Sequence, residues 1–356
     1  MSNSRNYQDT LLYDGVPSIF RRLILAGAGL VALMLLPVRQ TAFAQAQEEI
    51  STVRLADIYM RDGHVLADEE TQTYYIVTAA QGAGVRAFTS KDLIDWEGPH
   101  IIYRTPDEMW GTDVNINSIW APELHKHNGK YYLFVTFSSN AELAEQWTDW
   151  FEWRPRVRRA SQILVSDSPL GPYEAFSNES LFDPDMMTLD GTLWVEDGVP
   201  YMIYCHEWLQ VVDGSISMIQ LTDDLSDTVG DHTILFRGSD GPWNRRGDPT
   251  HWVTDGPWFY TSHSGKLFMP WSGFSETGYT VGLAVSESGK LEGPWVQQEE
   301  PLYSDDGGHP AIFRTFDGRL VMSLHSPNGG PQTRQHLFEV EDTGETLRIL
   351  RRIPEE

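Results

Sequence analysis

The sequence has very little cysteine: Cys205 is the only one among 356 residues. No disulfide can form within the chain, so its stability has to come from a packed core. A hydrophobic fraction of 40% with 12% aromatic residues can supply such a core and argues against a disordered chain. Because Cys205 lies in a strand-like run between Tyr204 and His206, we interpret it as a small buried hydrophobe rather than a catalytic thiol.

Positive charge is also scarce, with 26 Lys and Arg against 51 Asp and Glu. The formal net charge of −25 would repel a phosphate backbone, which argues against nucleic acid as a partner. The same charge is compatible with a neutral ligand, although it does not identify one. We expect a monomer.

Long apolar runs are missing except for residues 23–36, which follow Arg21 and Arg22 and precede Ala-Phe-Ala at 42–44. A basic segment, an apolar segment of this length and a small-residue cleavage site are typical of a secretory signal peptide. The run is short for a transmembrane helix, and an uncleaved anchor is the alternative interpretation. We therefore expect a signal peptide over 1–44 and one secreted or periplasmic domain over 45–356, with no membrane contact after cleavage.

Helical periodicity is nearly absent beyond residue 50, and short aromatic and β-branched runs alternate there with Gly, Asp and Pro turns. One pattern, a turn followed by a strand, recurs five times, at 71–80, 128–139, 197–208, 264–274 and 317–327. A further strand precedes each copy. This repetition predicts an all-β, five-bladed β-propeller with four-stranded antiparallel blades around a central channel, in preference to a two-sheet sandwich. Residues 140–160 interrupt the repeat and predict a loop or short helix over the rim of the second blade.

In a propeller, the first strand of each blade lines the channel and begins at one mouth. The strand starts carry residues that we expect to be neighbours around the axis: Asp57, Trp120 with Glu123, Asp190, Asp255 and His309. An Asp before Gly is also a common turn residue, and a lone His is often a core residue, so these residue types alone do not establish a site. Clustered carboxylates repel one another, so one stays protonated while another ionises, as acid–base glycoside cleavage requires.

The segment 188–210 adds a second carboxylate to this set. Its two strands form a predicted hairpin that returns Glu207 to the end of the sheet where Asp190 begins. Glu207 stands between His206 and Trp208, and a charged residue in that setting is rarely explained by packing. Trp120 is a candidate to stack on a sugar ring.

The chain resembles glycoside hydrolase family 43 over roughly residues 51–345. The resemblance rests on the combination of LADIYM, SKDLIDWE, IWAPELHKHNGKYYLF, SDSPLGPYE, LDGTLWVEDG, TDGPWFY and GGHPAIFRTFDG with LHSPN. It implies a five-bladed propeller that hydrolyses O-glycosyl bonds in arabinose- or xylose-containing polysaccharides or oligosaccharides with inversion. The enzyme types implied are α-L-arabinofuranosidase, β-xylosidase and arabinanase.

The resemblance also implies roles for three acids. Asp57 matches the general base and Asp190 the residue that tunes the acid's pKa, although Ile58 and Gly191 replace the prolines that usually follow. The usual Glu of the general acid is replaced by Asp255. Either Asp255 is a shortened acid or Glu207 has taken over protonation, and we favour Glu207 as the third catalytic residue.

Two further expectations concern ligands. His309 matches a channel histidine that in many family members contacts a calcium ion or its waters, so a structural calcium is implied although no cofactor is required for the chemistry. The replacement of the blade-four Glu also leaves open a catalytically silent, carbohydrate-binding propeller.

Overall fold

The computed structural model describes residues 49–148, 154–245 and 251–354, which form five separate antiparallel sheets. The predicted five-bladed β-propeller is confirmed. Blade one has five strands, ordered β1-β5-β4-β3-β2, and every other blade has four. The strands of blade one are β1 (Ser51–Arg54), β2 (His64–Asp68), β3 (Thr73–Ala80), β4 (Gly84–Ser90) and β5 (Asp95–Arg104).

Blades two and three keep the simple order of four consecutive strands. Blade two contains β6 (Ile116–His127), β7 (Lys130–Glu142), β8 (Val157–Ser166) and β9 (Glu174–Ala175). Blade three contains β10 (Thr188–Glu196), β11 (Val199–His206), β12 (Ser215–Leu221) and β13 (Thr228–Arg237), with the short helix α1 (Trp208–Val211) after its second strand.

Blades four and five repeat this arrangement. Blade four contains β14 (Tyr260–Thr261), β15 (Leu267–Ser275), β16 (Gly278–Ser286) and β17 (Trp295–Gln297), and blade five contains β18 (Gly308–Arg314), β19 (Leu320–Ser326), β20 (Arg334–Asp342) and β21 (Leu347–Ile353). The turn-plus-strand pattern of the sequence is the second strand of each blade, and most of its residues are buried.

The core lies between the blades, as expected when each sheet buries its faces against two neighbours. Large side chains fill these layers, and among the most completely buried are Trp96 in blade one and Trp271 in blade four. Cys205 is fully buried in the layer that also contains Ile203 and Ile216, as the sequence indicated.

The ring closes between blade one and blade five without a shared sheet. The side-chain amide of Gln335 on β20 accepts a hydrogen bond from Gly63 N–H (3.1 Å) and donates one to Gly63 C=O (2.8 Å). A Cβ at residue 63 would lie 2.6 Å from Met60 Sδ and 2.8 Å from Gln335 Oε1, so the close approach requires glycine. The Arg334 guanidinium adds a bond to Ala56 C=O at 2.7 Å.

The predicted signal peptide falls on residues 1–44, which lie outside the described residues. Within the described part of the chain, no helix is long and apolar enough to cross a membrane. The predicted insertion is described only on either side of 149–153. There, Trp147 packs with Leu143, Met187 and Leu209, and its indole N–H donates to Leu209 C=O at 2.7 Å, so this segment contacts blade three.

Candidate active site

The same backbone irregularity occurs where the inner strand of each blade begins. One residue per blade has a left-handed conformation: Asp62 (φ 52°), Ala121 (φ 40°), Asp190 (φ 54°), Gly256 (φ 48°) and His309 (φ 59°). In blades two, three and five a register shift in the strand pairing accompanies it. Such bulges redirect a side chain, and the strain of positive φ in non-glycine residues is typical of functional sites. The side chains of three of these left-handed residues, Asp62, Asp190 and His309, lie close together.

Distances between these side chains show how close they are. His309 Nδ1 lies 3.5 Å from Asp62 Oδ1 and 3.8 Å from Asp190 Oδ2. The Gly256 N–H donates to Asp190 Oδ2 at 2.9 Å, and the Asp190 N–H donates to Thr136 Oγ1 at 2.9 Å. Blades one, two, three, four and five therefore all contribute to a single cluster at the channel mouth.

Asp57 is not in this cluster, contrary to the sequence prediction. It ends a 3-10 helix (Leu55–Asp57) and is exposed, because the LADIYM run does not form the inner strand of blade one. That strand begins at His64, and Asp62 occupies the position predicted for Asp57.

A spacing signal in the sequence could have identified Asp62. In blades two and three, a left-handed glycine in the following hairpin turn lies eight residues later: Gly129 after Ala121 and Gly198 after Asp190. In blades four and five the spacing is nine residues, from Gly256 to Gly265 and from His309 to Gly318. The corresponding turn residue Gln72 lies ten residues after Asp62 but fifteen after Asp57.

Asp255 stands one residue before Gly256, the left-handed residue of blade four, and is held at the same mouth. Its backbone N–H and C=O both pair with Ser272 on β15, at 2.9 and 2.8 Å. The Tyr279 hydroxyl donates to Asp255 Oδ2 at 3.1 Å. Asp255 is partly exposed, so it can reach a ligand that enters the mouth.

The carboxyls of the cluster differ in protonation. Burial opposes ionisation of Asp62, but Arg61, His309 and His325 lower the pKa of its carboxyl below the usual range. Burial and the negative charge of Asp190 raise the pKa of Asp255 to about 8. Burial and the charge of Asp62 likewise raise the pKa of Asp190, against the hydrogen bond from Gly256. At neutral pH the mouth therefore combines an ionised Asp62 with a protonated Asp255.

Glu207 has a different environment. It is buried directly after β11, and the Nη1 atom of Arg159 on β8 lies 2.5 and 2.6 Å from its two carboxyl oxygens. The Arg159 guanidinium also lies 3.9 Å from the centre of the Trp120 ring. The contacts of Asp190 are with Gly256, Thr136 and His309, whereas Glu207 is held in an ion pair by Arg159.

Trp120 directly precedes Ala121, the left-handed residue of blade two. Its side chain is 37% exposed, and its indole N–H donates to Ser118 Oγ at 3.0 Å. One ring face is covered by Arg159, which makes Trp120 a fixed apolar surface beside the acids and suits it to contact a sugar ring.

The channel beneath the mouth contains a nitrogen-rich group of side chains. Potential ligand atoms of His64, Glu123 and His125 lie within 4.8 Å of one another, and all three side chains are buried. Calcium binds six to eight oxygen atoms, and this set offers one carboxylate. The Leu124 N–H donates to His64 Nδ1 at 3.1 Å, so Nδ1 is the acceptor and the proton of neutral His64 is on Nε2. Neither ring nitrogen of His64 then has a free lone pair for a metal ion. The group formed by His64, Glu123 and His125 therefore does not fit the implied calcium ion.

Comparisons with known proteins agree with the fold. The family profile described as glycosyl hydrolases family 43 matches residues 58–349. An endo-arabinase structure from Bacteroides thetaiotaomicron superposes with a TM-score of 0.70 at 35% identity, covering 81% of this chain and 96% of that one.

Two curated relatives are more distant. Alpha-L-arabinofuranosidase B of Pyricularia oryzae is 26% identical over 53% of this chain and 37% of its own length. Beta-xylosidase of Bacillus subtilis is 23% identical over 68% of this chain and 44% of its own length. The chain thus spans less than half the length of these relatives.

Proposed function

The chain belongs to glycosyl hydrolases family 43, and from this premise we propose that it hydrolyses O-glycosyl bonds in arabinose- or xylose-containing polysaccharides or oligosaccharides. The observation that carries the proposal is the pairing of an ionised Asp62 with a protonated Asp255 at one channel mouth. A binding protein does not need two carboxyls in opposite protonation states, whereas acid–base cleavage of a glycoside does.

In the proposed reaction, Asp62 is the general base. It takes a proton from a water molecule as the water oxygen bonds to the anomeric carbon. Asp255 is the general acid and gives its proton to the glycosidic oxygen as that bond breaks. Water adds on the face opposite the leaving group, so the configuration inverts, and Asp62 ends protonated while Asp255 ends ionised.

Asp190 tunes the acid in this scheme. When Asp190 is ionised, its charge raises the pKa of Asp255 and so favours the proton on Asp255. The Gly256 N–H holds Asp190 Oδ2 in place, and because Gly256 follows Asp255 directly, one backbone segment connects the two carboxyls.

We assign the acid role to Asp255 rather than to Glu207, which the sequence favoured. Arg159 Nη1 donates to both carboxyl oxygens of Glu207, so both oxygens are engaged within the protein and neither is open to a glycosidic oxygen. We propose instead that Glu207 fixes Arg159 beneath Trp120, and so stabilises a surface on which a sugar can stack.

The substrate class follows from the relatives named above, which include an endo-arabinase, an arabinofuranosidase and a xylosidase. A soluble polysaccharide is too large to be taken up intact, which is consistent with the secreted or periplasmic location proposed from residues 1–44.

The test uses the purified chain with nitrophenyl arabinofuranoside, nitrophenyl xyloside and linear arabinan. We expect turnover of at least one, with the first-formed sugar in the opposite anomeric configuration by proton NMR. Retained configuration would contradict the mechanism. Sugar binding measured by calorimetry without any turnover would contradict the enzyme assignment and support the carbohydrate-binding alternative.

A further inference from the structure

We propose that Tyr279 is a positioning residue for Asp255. Its hydroxyl holds Oδ2 of the carboxyl, so that Oδ1 carries the proton and faces the glycosidic oxygen. The inference rests on the proposed function, because it gives Asp255 the acid role.

The hydrogen bond that carries this inference is built into the blade. The Tyr279 hydroxyl donates to Asp255 Oδ2 at 3.1 Å, and the tyrosine side chain is 1% exposed. Burial and the charges of Asp255 and Asp62 raise the pKa of the Tyr279 hydroxyl, so it keeps its proton and remains a donor. An oxygen that accepts this bond is the less basic one, which leaves Oδ1 for the acidic proton.

The ring of Tyr279 is fixed from several sides. It stacks on His325 with centroids 5.5 Å apart and contacts Phe274 at 5.2 Å. Its backbone N–H donates to Asp306 Oδ1 at 3.1 Å, which holds the start of β16.

Gly308 provides the space for this ring. A Cβ at position 308 would lie 2.4 Å from Tyr279 Cε1, which no side chain could tolerate without displacing the ring. Glycine is therefore required here by the tyrosine, although Gly308 does not have a positive φ.

Asp255 needs such a holder because its backbone is fixed and its side chain is short. Both backbone groups of Asp255 pair with Ser272, whose hydroxyl in turn accepts the His309 N–H at 2.8 Å. The remaining freedom of Asp255 is the rotation of its carboxyl group, and the bond to Tyr279 restricts that rotation. Three charged groups act on the pKa of the same carboxyl: Asp190 raises it, whereas His309 and Arg61 lower it.

The test compares Tyr279→Phe with the matched variant Tyr260→Phe. Tyr260 also donates a hydrogen bond to an aspartate, Asp342 Oδ2 at 3.0 Å, but it lies outside the carboxyl cluster. kcat and KM are measured on linear arabinan, whose leaving group must be protonated, and on dinitrophenyl glycosides, whose leaving group departs without a proton.

For Tyr279→Phe we expect kcat on arabinan to fall roughly tenfold, with KM and the dinitrophenyl rate within about twofold of the parent, because one hydrogen bond to the acid is lost. Tyr260→Phe should leave kcat and KM unchanged on both substrates. Gly308→Ala, which displaces the ring but keeps the hydroxyl, should give the same selective loss and replaces Tyr279→Phe if that variant does not fold.

Equal losses on both substrates, or no loss, would overturn the positioning role. If Asp255→Asn shows the selective loss on arabinan while both Tyr279→Phe and Gly308→Ala match the parent, only this inference fails. If the parent chain cleaves no glycoside, the proposed function fails and this inference fails with it.

Discussion

Asp62, Asp190 and His309 share an unfavourable backbone conformation, and their shared strain explains why they meet. A positive φ in a non-glycine residue costs about 1–3 kcal/mol, which the neighbouring blades must offset. This conformation occurs in each of the three residues where the chain enters the inner strand of its blade, and their side chains meet there. Asp57, five residues earlier in an exposed 3-10 helix, has no such constraint.

The first prediction separates these two aspartates. We expect Asp62→Asn to lower kcat/KM by about 10³-fold, because the water loses its proton acceptor. The matched change Asp57→Asn should leave kcat/KM within about twofold. Steady-state kinetics on the best substrate of the nitrophenyl panel checks both, and a strong loss in Asp57→Asn would return the base role to that residue.

The second prediction concerns pH. Asp255 must be protonated and Asp62 ionised, so kcat/KM should fall as the pH rises through about 8. Because the pKa of Asp62 is lowered, kcat/KM should not fall on the acid side until the pH is below the usual pKa of an aspartate. In Asp190→Asn the basic limb should move about one unit lower, since a charge that raises the pKa of Asp255 is gone. A limb that stays in place would remove Asp190 from the tuning role.

At the scale of elements, the contact between β8 and the end of β11 shows how blades two and three are joined at the mouth. Arg159 and Glu207 are 48 residues apart in sequence, and both are buried where they meet. A buried ion pair contributes little net stability over apolar residues, but removing one partner leaves an uncompensated charge.

The third prediction tests that asymmetry. Arg159→Met should lower the free energy of unfolding by about 3 kcal/mol, and adding Glu207→Met should restore most of it. As a control, Arg54→Met breaks the exposed Arg54–Asp95 pair and should cost less than about 1 kcal/mol. Urea unfolding monitored by tryptophan fluorescence measures all three, and a double variant less stable than Arg159→Met would contradict the interpretation.

For the whole molecule, the join between blades one and five determines whether the ring is closed. The described strands of these two blades belong to different sheets, so the join depends on packing and on side-chain bonds to the backbone. Gln335 satisfies both backbone groups of Gly63, next to Asp62, and so couples closure of the ring to the position of the base.

The fourth prediction follows from this coupling. Gln335→Ala should lower the free energy of unfolding by about 2 kcal/mol, because two buried backbone groups lose their partners. The exposed neighbour Gln332 provides the control, and Gln332→Ala should change it by less than about 0.5 kcal/mol. Chemical denaturation gives both values. Equal stabilities would show that the ring closes without this amide.

The five repeats, and with them the propeller, could be predicted from the sequence because alternation within strands and turns between them are local properties. For the same reason, the start of an inner strand could be read correctly for Asp190, Asp255 and His309, each of which precedes a recognisable hairpin. Asp57 was misread because a short apolar run resembles a strand whether or not it pairs.

Which carboxyls lie together, and how their pKa values shift, depends on contacts between blades that are distant in sequence. The ion pair of Glu207 with Arg159 joins two blades, and the bond from Tyr279 to Asp255 joins residues that are 24 apart in sequence. Such contacts leave no periodic signal in the chain. A carboxyl's pKa depends on what faces it in space, so the choice between Asp255 and Glu207 as the acid could not be made from the residues around either one.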